Sequence, residues 1–519
     1  MQFNSKAYLP FESAYNESVF PQKIVGRRGA SPIARGESKV TTLERVIEVL
    51  NDGDTISYPH YYRTGDKGLE QVIHALRAGG KKGIILYANA VFDNTDPWLM
   101  EAFRDGTLAG LYGNVYRRFG THVTAGELLP WRTVGFSHGN RVRKLQSGEV
   151  HIKVAFGPVP QADIHGNANG ISGNPEQWCG PVGLFAADAE YADYTCLLAG
   201  TVSPRLITPA AIPMHQVDFV VPMDPPGLAA GIGSGTLDLE RIRSRPFNAR
   251  IADQVTRVME AARVVREDFN FQVGSGAGLI VLDNIRGMLK KAGIKAGFAI
   301  GGVTSMHVDM LEEGTLRTLM HGQLFEPSPR VVESLRTDPN HIEISAGYYA
   351  SMAHKEAAVN LLDVAVLSAL EVDLGFNVNT VCANGRIIGG IGGGQDVAAG
   401  ADLTIMFLPL ATGKDGKGFP RVVDRVFTRT TPGEVIDVVV TEEYMAVNPS
   451  SRSRALEPLR ENAVSASLKL VSMEELHHHS LTKAREFGSI PPRAATTDEV
   501  VHLIEWRDGT LLDTIRRPE

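Results

Sequence analysis

The chain has 519 residues, 43% hydrophobic and 21% charged, with a formal net charge of −7. That length exceeds what one hydrophobic core organises, the composition is ordinary for a soluble globular protein, and no long basic stripe suits nucleic acid. No apolar run approaches the ~20 residues of a membrane span, and Cys179, Cys196 and Cys382 lie too far apart for a metal-ligand cluster. With an N-terminus that lacks a signal-peptide core, these features predict a reduced, cytoplasmic protein that binds no metal.

Residues 1–45 are polar, proline-containing and irregular, and read as an N-terminal arm. Two halves of similar rhythm follow, 46–228 and 229–519, with the seam in the Pro- and Gly-rich stretch 222–239. In the first half, strands are expected at Asp54–Tyr58, Gly83–Tyr87, Val150–Phe156 and Val217–Val221, with helices near Leu69–Leu76 and Trp98–Arg104. In the second, strands are expected at Phe269–Val273, Ala296–Ile300, Asp363–Leu370, Leu403–Leu408 and Val435–Val440, with helices near Leu279–Lys291 and Val308–Glu313. Short Val- and Ile-rich strands that alternate with amphipathic helices predict an α/β protein: two tandem domains whose mostly parallel sheets are covered by helices. The stretch after Leu459 reads as a C-terminal extension of mixed structure.

Glycine turns follow strands three times in the second half: Gly274-Ser-Gly-Ala-Gly278, Gly301-Gly302, and Gly389-Gly-Ile-Gly-Gly-Gly394 before Gln395 and Asp396. Parallel strands present such turns at one sheet edge, so the three are expected to converge. Backbone without Cβ atoms lets a ligand come within hydrogen-bonding distance of its N–H groups. Neither a dinucleotide fingerprint nor a phosphate-cradling P-loop is present, so a long anionic thiol carrier such as coenzyme A fits better than NAD or ATP. This reading assigns Gly274, Gly276, Gly278, Gly301, Gly302, Gly392, Gly393, Gly394 and Asp396 to a carrier-binding wall. In the first half, the turn after the first strand carries His60, Arg63 and Asp66, and a guanidinium fork suits a substrate carboxylate. Arg141 offers a second such group, and Asn167 and Asn169 offer amides. Structural roles compete evenly at these positions, since Arg63 can pair with Asp66 and Asp163 can cap a turn.

Seven ordered motifs carry a family resemblance: Arg63-Thr-Gly-Asp66, Ser137-His-Gly-Asn-Arg141, Leu145-Gln-Ser-Gly-Glu149, Gly166-Asn-Ala-Asn-Gly170, Asn340-His-Ile-Glu-Ile-Ser345, Leu367-Ser-Ala-Leu-Glu-Val-Asp373 and Phe376-Asn-Val-Asn379. In these the chain resembles the alpha subunit of citrate lyase, over nearly its whole length. The resemblance implies two tandem coenzyme A transferase-like domains, the first (46–228) binding the acid and the second (229–519) the thioester carrier. It implies exchange of an acetyl group for citrate on a coenzyme A- or phosphopantetheine-type thiol, the arm being carried by a partner. A gamma subunit would carry that arm and a beta subunit would cleave the citryl thioester; a homo-oligomer is also expected. Many coenzyme A transferases use a glutamate nucleophile, but Val303-Thr-Ser-Met306 stands in its place here, so direct carboxylate attack in a ternary complex is implied. Glu371 and His60 are the remaining candidate catalytic groups. The run Gly392-Gly-Gly-Gln-Asp396 departs from the Ser- and His-containing family pattern, which keeps two alternatives open: a stand-alone coenzyme A transferase for another di- or tricarboxylate, and a non-catalytic ligand-binding relative.

Overall fold

A computed structural model describes residues 38–232, 239–274, 277–324, 326 and 328–519. Most of the expected arm, part of the seam and Gly276 lie outside the described residues. The first sheet is built from β1 (Thr55–Tyr58), β2 (Ile84–Val91), β3 (Leu108–Val115), β4 (Thr133–Gly135), β5 (Val154–Asp163), β6 (Ala168–Asn169), β7 (Tyr194–Ser203) and β8 (Phe219–Pro222). The second contains β9 (Phe271–Val273), β10 (Ala296–Val303), β11 (Leu316–Leu324), β12 (His341–Glu343), β13 (Val364–Ser368), β14 (Leu403–Phe407), β15 (Val438–Val440) and β16 (Met445–Val447). The C-terminal strands are β17 (Thr496–Glu505) and β18 (Leu511–Pro518).

The first sheet runs β18-β17-β4-β3-β2-β1-β5-β7-β8, with β6 beside β5, and the second runs β12-β11-β10-β9-β13-β14-β15-β16. Among the described residues, only β6, β16 and β18 pair antiparallel with their neighbours in these two sheets. Central strands such as β14 and β15 are buried at every residue, as strands covered on both faces must be. Among the described residues, no helix is long and apolar enough to cross a membrane.

Two features depart from the sequence reading. The C-terminal hairpin joins the first sheet, with His502, Leu503 and Ile504 in register with Thr133, Val134 and Gly135. The segment 229–519 therefore does not pack as one unit. Its last strand pair is amphipathic and answers the open edge of β4, a tertiary demand that local pattern does not encode. The glycine run, moreover, is not a turn between two sheet strands. Between β13 and β14 the chain forms a short strand (Glu371–Asp373) and a hairpin of Cys382–Ala383 with Arg386–Ile387, and the run then opens the helix Gly394–Gly400.

Arg141 is a structural cation. It is fully buried and donates two hydrogen bonds to Asp188, at 2.7 and 2.6 Å, with its guanidinium 5.0 Å from the Tyr87 ring centre. Ser57 of β1 donates to the same carboxylate at 3.0 Å. The group that was expected to hold a substrate carboxylate instead ties the helices His138–Gln146 and Gly183–Tyr191 to β1. Replacing Arg141 with Ala leaves a buried, unpaired carboxylate, and a loss of about 3–5 kcal/mol is expected in urea denaturation. A loss below about 1 kcal/mol, as for an exposed ion pair, would contradict this role.

Candidate active site

The parallel strands of both sheets point their C-terminal ends at one cavity of about 470 Å³. The loop after β1 supplies His60, Tyr61 and Arg63; the end of β2 supplies Asn89, Ala90, Phe92 and Asp93; the segments after β3 and β4 supply Tyr116, Arg117 and His138. Facing them are Gln272 in β9 and Gly274 after it, Gly301 and Gly302 in β10, Tyr349 after β12, and Gly392 and Gly393. Ligand binding at the carboxyl ends of parallel strands is the general rule for such sheets, and here two sheets share one site.

The wall is strained where it is cationic. His60 and Arg63 both have φ of 53°, and Arg117 has φ of 43°. Each such conformation costs a non-glycine residue on the order of 1–3 kcal/mol, and such strain gathers at functional sites. Arg63 is half-buried and donates to the Ile232 carbonyl at 3.1 Å; burial lowers its pKa from the ordinary range. Arg117 is largely exposed and lies 3.9 Å from the Asp93 carboxylate. Two guanidinium groups thus meet a cavity whose other walls include aromatic side chains, glycines, the amides of Asn89 and Gln272 and the Asp93 carboxylate. Phe92 stacks on Tyr116 at 4.8 Å, and the His60 ring meets Phe92 edge-on at 5.3 Å.

His138 is the first residue of the helix His138–Gln146, whose N-cap Ser137 accepts a hydrogen bond from the Asn140 N–H at 3.1 Å. Its Nδ1 lies 2.8 Å from Asn89 Oδ1. Burial, with the nearby charges of Arg141 and Arg63, pushes its pKa down to about 4, so the ring is neutral at physiological pH. His307 also lines the cavity with a pKa lowered to about 4 by burial, but its Nδ1 accepts from the Thr304 N–H as part of a helix cap.

The glycine run is sewn to the first sheet. The Ile391 N–H donates to Asn114 Oδ1 at 2.9 Å, and the His138 N–H donates to the Gly392 carbonyl at 3.0 Å. Asp396 accepts from Ser137 Oγ and from the Gly139 N–H, both at 2.9 Å. A Cβ on Gly139 would sit 2.6 Å from Asp396 Oδ1, so this contact requires glycine. Gly393 packs against Tyr349, whose hydroxyl hydrogen-bonds with the Gln272 side-chain amide at 3.1 Å.

Of the residues assigned from sequence, His60, Arg63, Gly274, Gly301, Gly302, Gly392 and Gly393 meet at the cavity. Others do not line it. Asp66 is buried, accepts from the Tyr58 hydroxyl at 2.8 Å and from the Leu69 N–H at 3.0 Å, and so caps the helix Gly68–Ala78. Asn167 donates to Asp163 at 2.8 Å and fastens the turn between β5 and β6, while Asn169 donates to the Pro209 carbonyl at 2.8 Å and ties β6 to the segment between β7 and β8. Glu371 accepts from Asn379 at 2.9 Å and from the Phe427 N–H at 3.1 Å, in a small sheet beyond the site. Gly278 lies within the helix Ala277–Ala292, Gly394 begins the helix Gly394–Gly400, and Asp396 acts from behind the wall. Gln395 is fully buried and donates to the carbonyls of Thr430 and Glu505, so the departure from the family pattern at this position falls outside the cavity wall. Asn89, Tyr116, Arg117, His138, Gln272 and Tyr349 went unassigned. His138 alone carried a signal, an N-cap serine immediately before it. No group of three or more metal-ligating side chains is assembled among the described residues.

Two outcomes follow from the wall. A Cβ on Gly393 would lie 2.5 Å from the Tyr349 hydroxyl, whereas one on Gly394 meets nothing within 4 Å. Gly393→Ala is expected to lower the turnover number at least ~10-fold and Gly394→Ala to leave it nearly unchanged; equal losses would contradict the packing. Burial pushes the Asp396 carboxyl up to about 6 from an ordinary 3.8, against the opposing pulls of the Gly139 N–H, Arg507 and Ser137. A raised carboxyl pKa means that ionisation weakens the fold: the contribution is full below about pH 4 and is lost as pH rises through about 6. The melting-temperature difference between wild type and Asp396→Asn should change across that interval and level off above it. A difference independent of pH would refute the assignment.

Comparison with known proteins agrees with this architecture. The family model for the citrate lyase alpha subunit (CitF) matches residues 37–518. The citrate lyase alpha chain of Klebsiella pneumoniae is 38% identical over 90% of this chain and 88% of its own length. A crystal structure described as the alpha subunit of citrate lyase from Streptococcus mutans, in complex with citrate, has a TM-score of 0.86 and 32% identity, over 99% of this chain and 98% of that one. The malonate decarboxylase alpha subunit of Acinetobacter baumannii shares the fold, with a TM-score of 0.61 at 14% identity over 88% of this chain and 90% of that one. With a family model covering nearly the whole described chain and relatives above 30% identity, the chain belongs to the citrate lyase alpha subunit family.

Proposed function

We propose that the chain exchanges acyl groups between a polycarboxylic acid, citrate, and the acetylated thiol of a carrier, releasing acetate, as the alpha subunit of a citrate lyase complex. The observation that carries this reading is the meeting of Arg63 and Arg117 with a glycine wall in one cavity shared by both sheets. The cations suit carboxylates, and the wall, short of Cβ atoms, suits a thin arm. A phosphopantetheine-type arm on a partner subunit supplies the thioester.

The chemistry asks for positioning and for stabilisation of negative charge. A carboxylate oxygen of the acid attacks the acetyl carbonyl, the carbon–sulfur bond breaks, and a mixed anhydride and a thiolate result. The thiolate then attacks the acid's own carbonyl, the anhydride carbon–oxygen bond breaks, and acetate leaves. Atoms balance without net proton transfer. Arg63 and Arg117 hold the acid's other carboxylates and so fix the attacking oxygen. Gly392 and Gly393 bring backbone amides to the wall, where the tetrahedral oxyanions develop. No carboxylate nucleophile is required of the chain, consistent with Glu371 lying outside the cavity.

Incubating the purified chain with acetyl-CoA or an acetylated carrier and a panel of di- and tricarboxylates tests this, with new thioesters followed by mass spectrometry. A citryl thioester is expected, and no transfer to any acid would refute the reading. Arg63→Ala should raise the KM for the acid ~10- to 100-fold, the worth of a charge-assisted hydrogen bond. An unchanged KM would remove Arg63 from acid binding.

A further inference from the structure

His60 and His138 enter the cavity from different loops, yet adjacent residues of β2 hold them both. His60 Nδ1 lies 2.6 Å from the Ala90 carbonyl, and His138 Nδ1 lies 2.8 Å from Asn89 Oδ1. A carbonyl oxygen only accepts, so His60 Nδ1 carries the hydrogen; the amide oxygen of Asn89 assigns the same tautomer to His138. In the neutral ring, Nε2 is then a bare lone pair. His60 is 1% exposed, and its Nε2 is buried with no hydrogen-bond partner among the described residues. His138 Nε2 lies 3.9 Å from where a Cβ on Gly392 would stand, so it opens on the glycine wall. Burial holds this second ring neutral, with a pKa of about 4.

The exchange does not employ these lone pairs as bases, because a carboxylate enters, a carboxylate leaves and no net proton moves. They are also poor neighbours for a carboxylate oxygen, since both groups only accept. A buried acceptor left unpaired costs stability, and such an atom calls for an explanation. What a bare Nε2 can take is a donor, and an ionised polycarboxylate offers one only if it carries a hydroxyl.

We propose that the bare Nε2 of His138 accepts a hydrogen bond from a hydroxyl group on the acid, so that the chain selects hydroxylated polycarboxylates over the same acids without the hydroxyl. This rests on the carboxylate-binding reading of the same cavity. The arginines answer the charge of the acid, and the His138 imidazole answers its one neutral polar group, while His60, whose Nε2 is fully buried, stands behind the wall. A site built around a donor rejects an analogue that lacks it far more strongly than an apolar pocket rejects a small change in shape.

Isothermal titration calorimetry of the full chain with citrate and with tricarballylate, which has the same three carboxylates and no hydroxyl, tests the subsite. Wild type is expected to bind citrate at least ~10-fold more tightly. His138→Leu should bring the ratio to within about twofold, with folding checked by circular dichroism. If His138→Leu fails to fold, His138→Phe and the wild-type comparison still decide. Equal affinities in wild type, as expected if the lone pairs serve amide groups of the carrier, overturn the proposal. So does a citrate preference that survives in a folded His138 variant. Binding of neither acid overturns the carboxylate reading itself and the subsite with it, a result distinct from equal binding of both.

Discussion

The Asp396 carboxylate is the joint on which the site depends. It stands in the first turn of a helix leading into the second sheet, yet its two oxygens accept from Ser137 and Gly139, at the start of a helix leaving the first. Two sheets of eight or more strands have many ways to lie against each other. A buried carboxylate with fixed donors allows few, because any slip leaves it without partners in a low-dielectric interior. The acceptor also sits at the end of a helix whose first amides need one. His138, between the two donors, is therefore positioned by a contact that it does not make.

The same economy runs through the cavity. Its cations and the imidazoles of His60 and His138 come from loops of the first sheet, and much of its bare backbone comes from the second. Strained backbone at His60, Arg63 and Arg117 shows that local conformational preference was overridden where charge had to face inward. The unpaired Nε2 of His60 is the same kind of cost, a buried polar atom left unsatisfied beside the cavity.

Much of this was legible in the residues. Val- and Ile-rich runs locate the central strands because strands buried on both faces have little choice of composition. The helix at Trp98–Arg104 matches its expected bounds, and the glycine pairs at 301–302 and 392–393 reach the cavity as expected. What was not legible is pairing. Nothing local to Arg141 announces Asp188 forty-seven positions on, and an arginine in a conserved-looking word reads equally as a ligand for substrate or for its own fold. Asp66, Asn167 and Asn169 went the same way, since short polar side chains serve caps and turns as readily as ligands. Asn89, Gln272 and Tyr349 stand on or just after strands where only the direction of the side chain decides their role. The resemblance to a known family carried the function further than these residues alone.

The C-terminal hairpin has a consequence for how the molecule comes into being. β4, the strand that leads to Ser137 and His138, flanks β3 on one side and is paired on the other by β17, whose residues are synthesised more than three hundred positions later. Until then its outer edge has no partner, and an exposed edge is a template for pairing with the wrong chain. The catalytic cavity thus cannot be finished by either half on its own during synthesis. The site becomes competent only when β17 and β18 return across more than three hundred residues to close the first sheet, so loss of this hairpin would disable a site that it does not line.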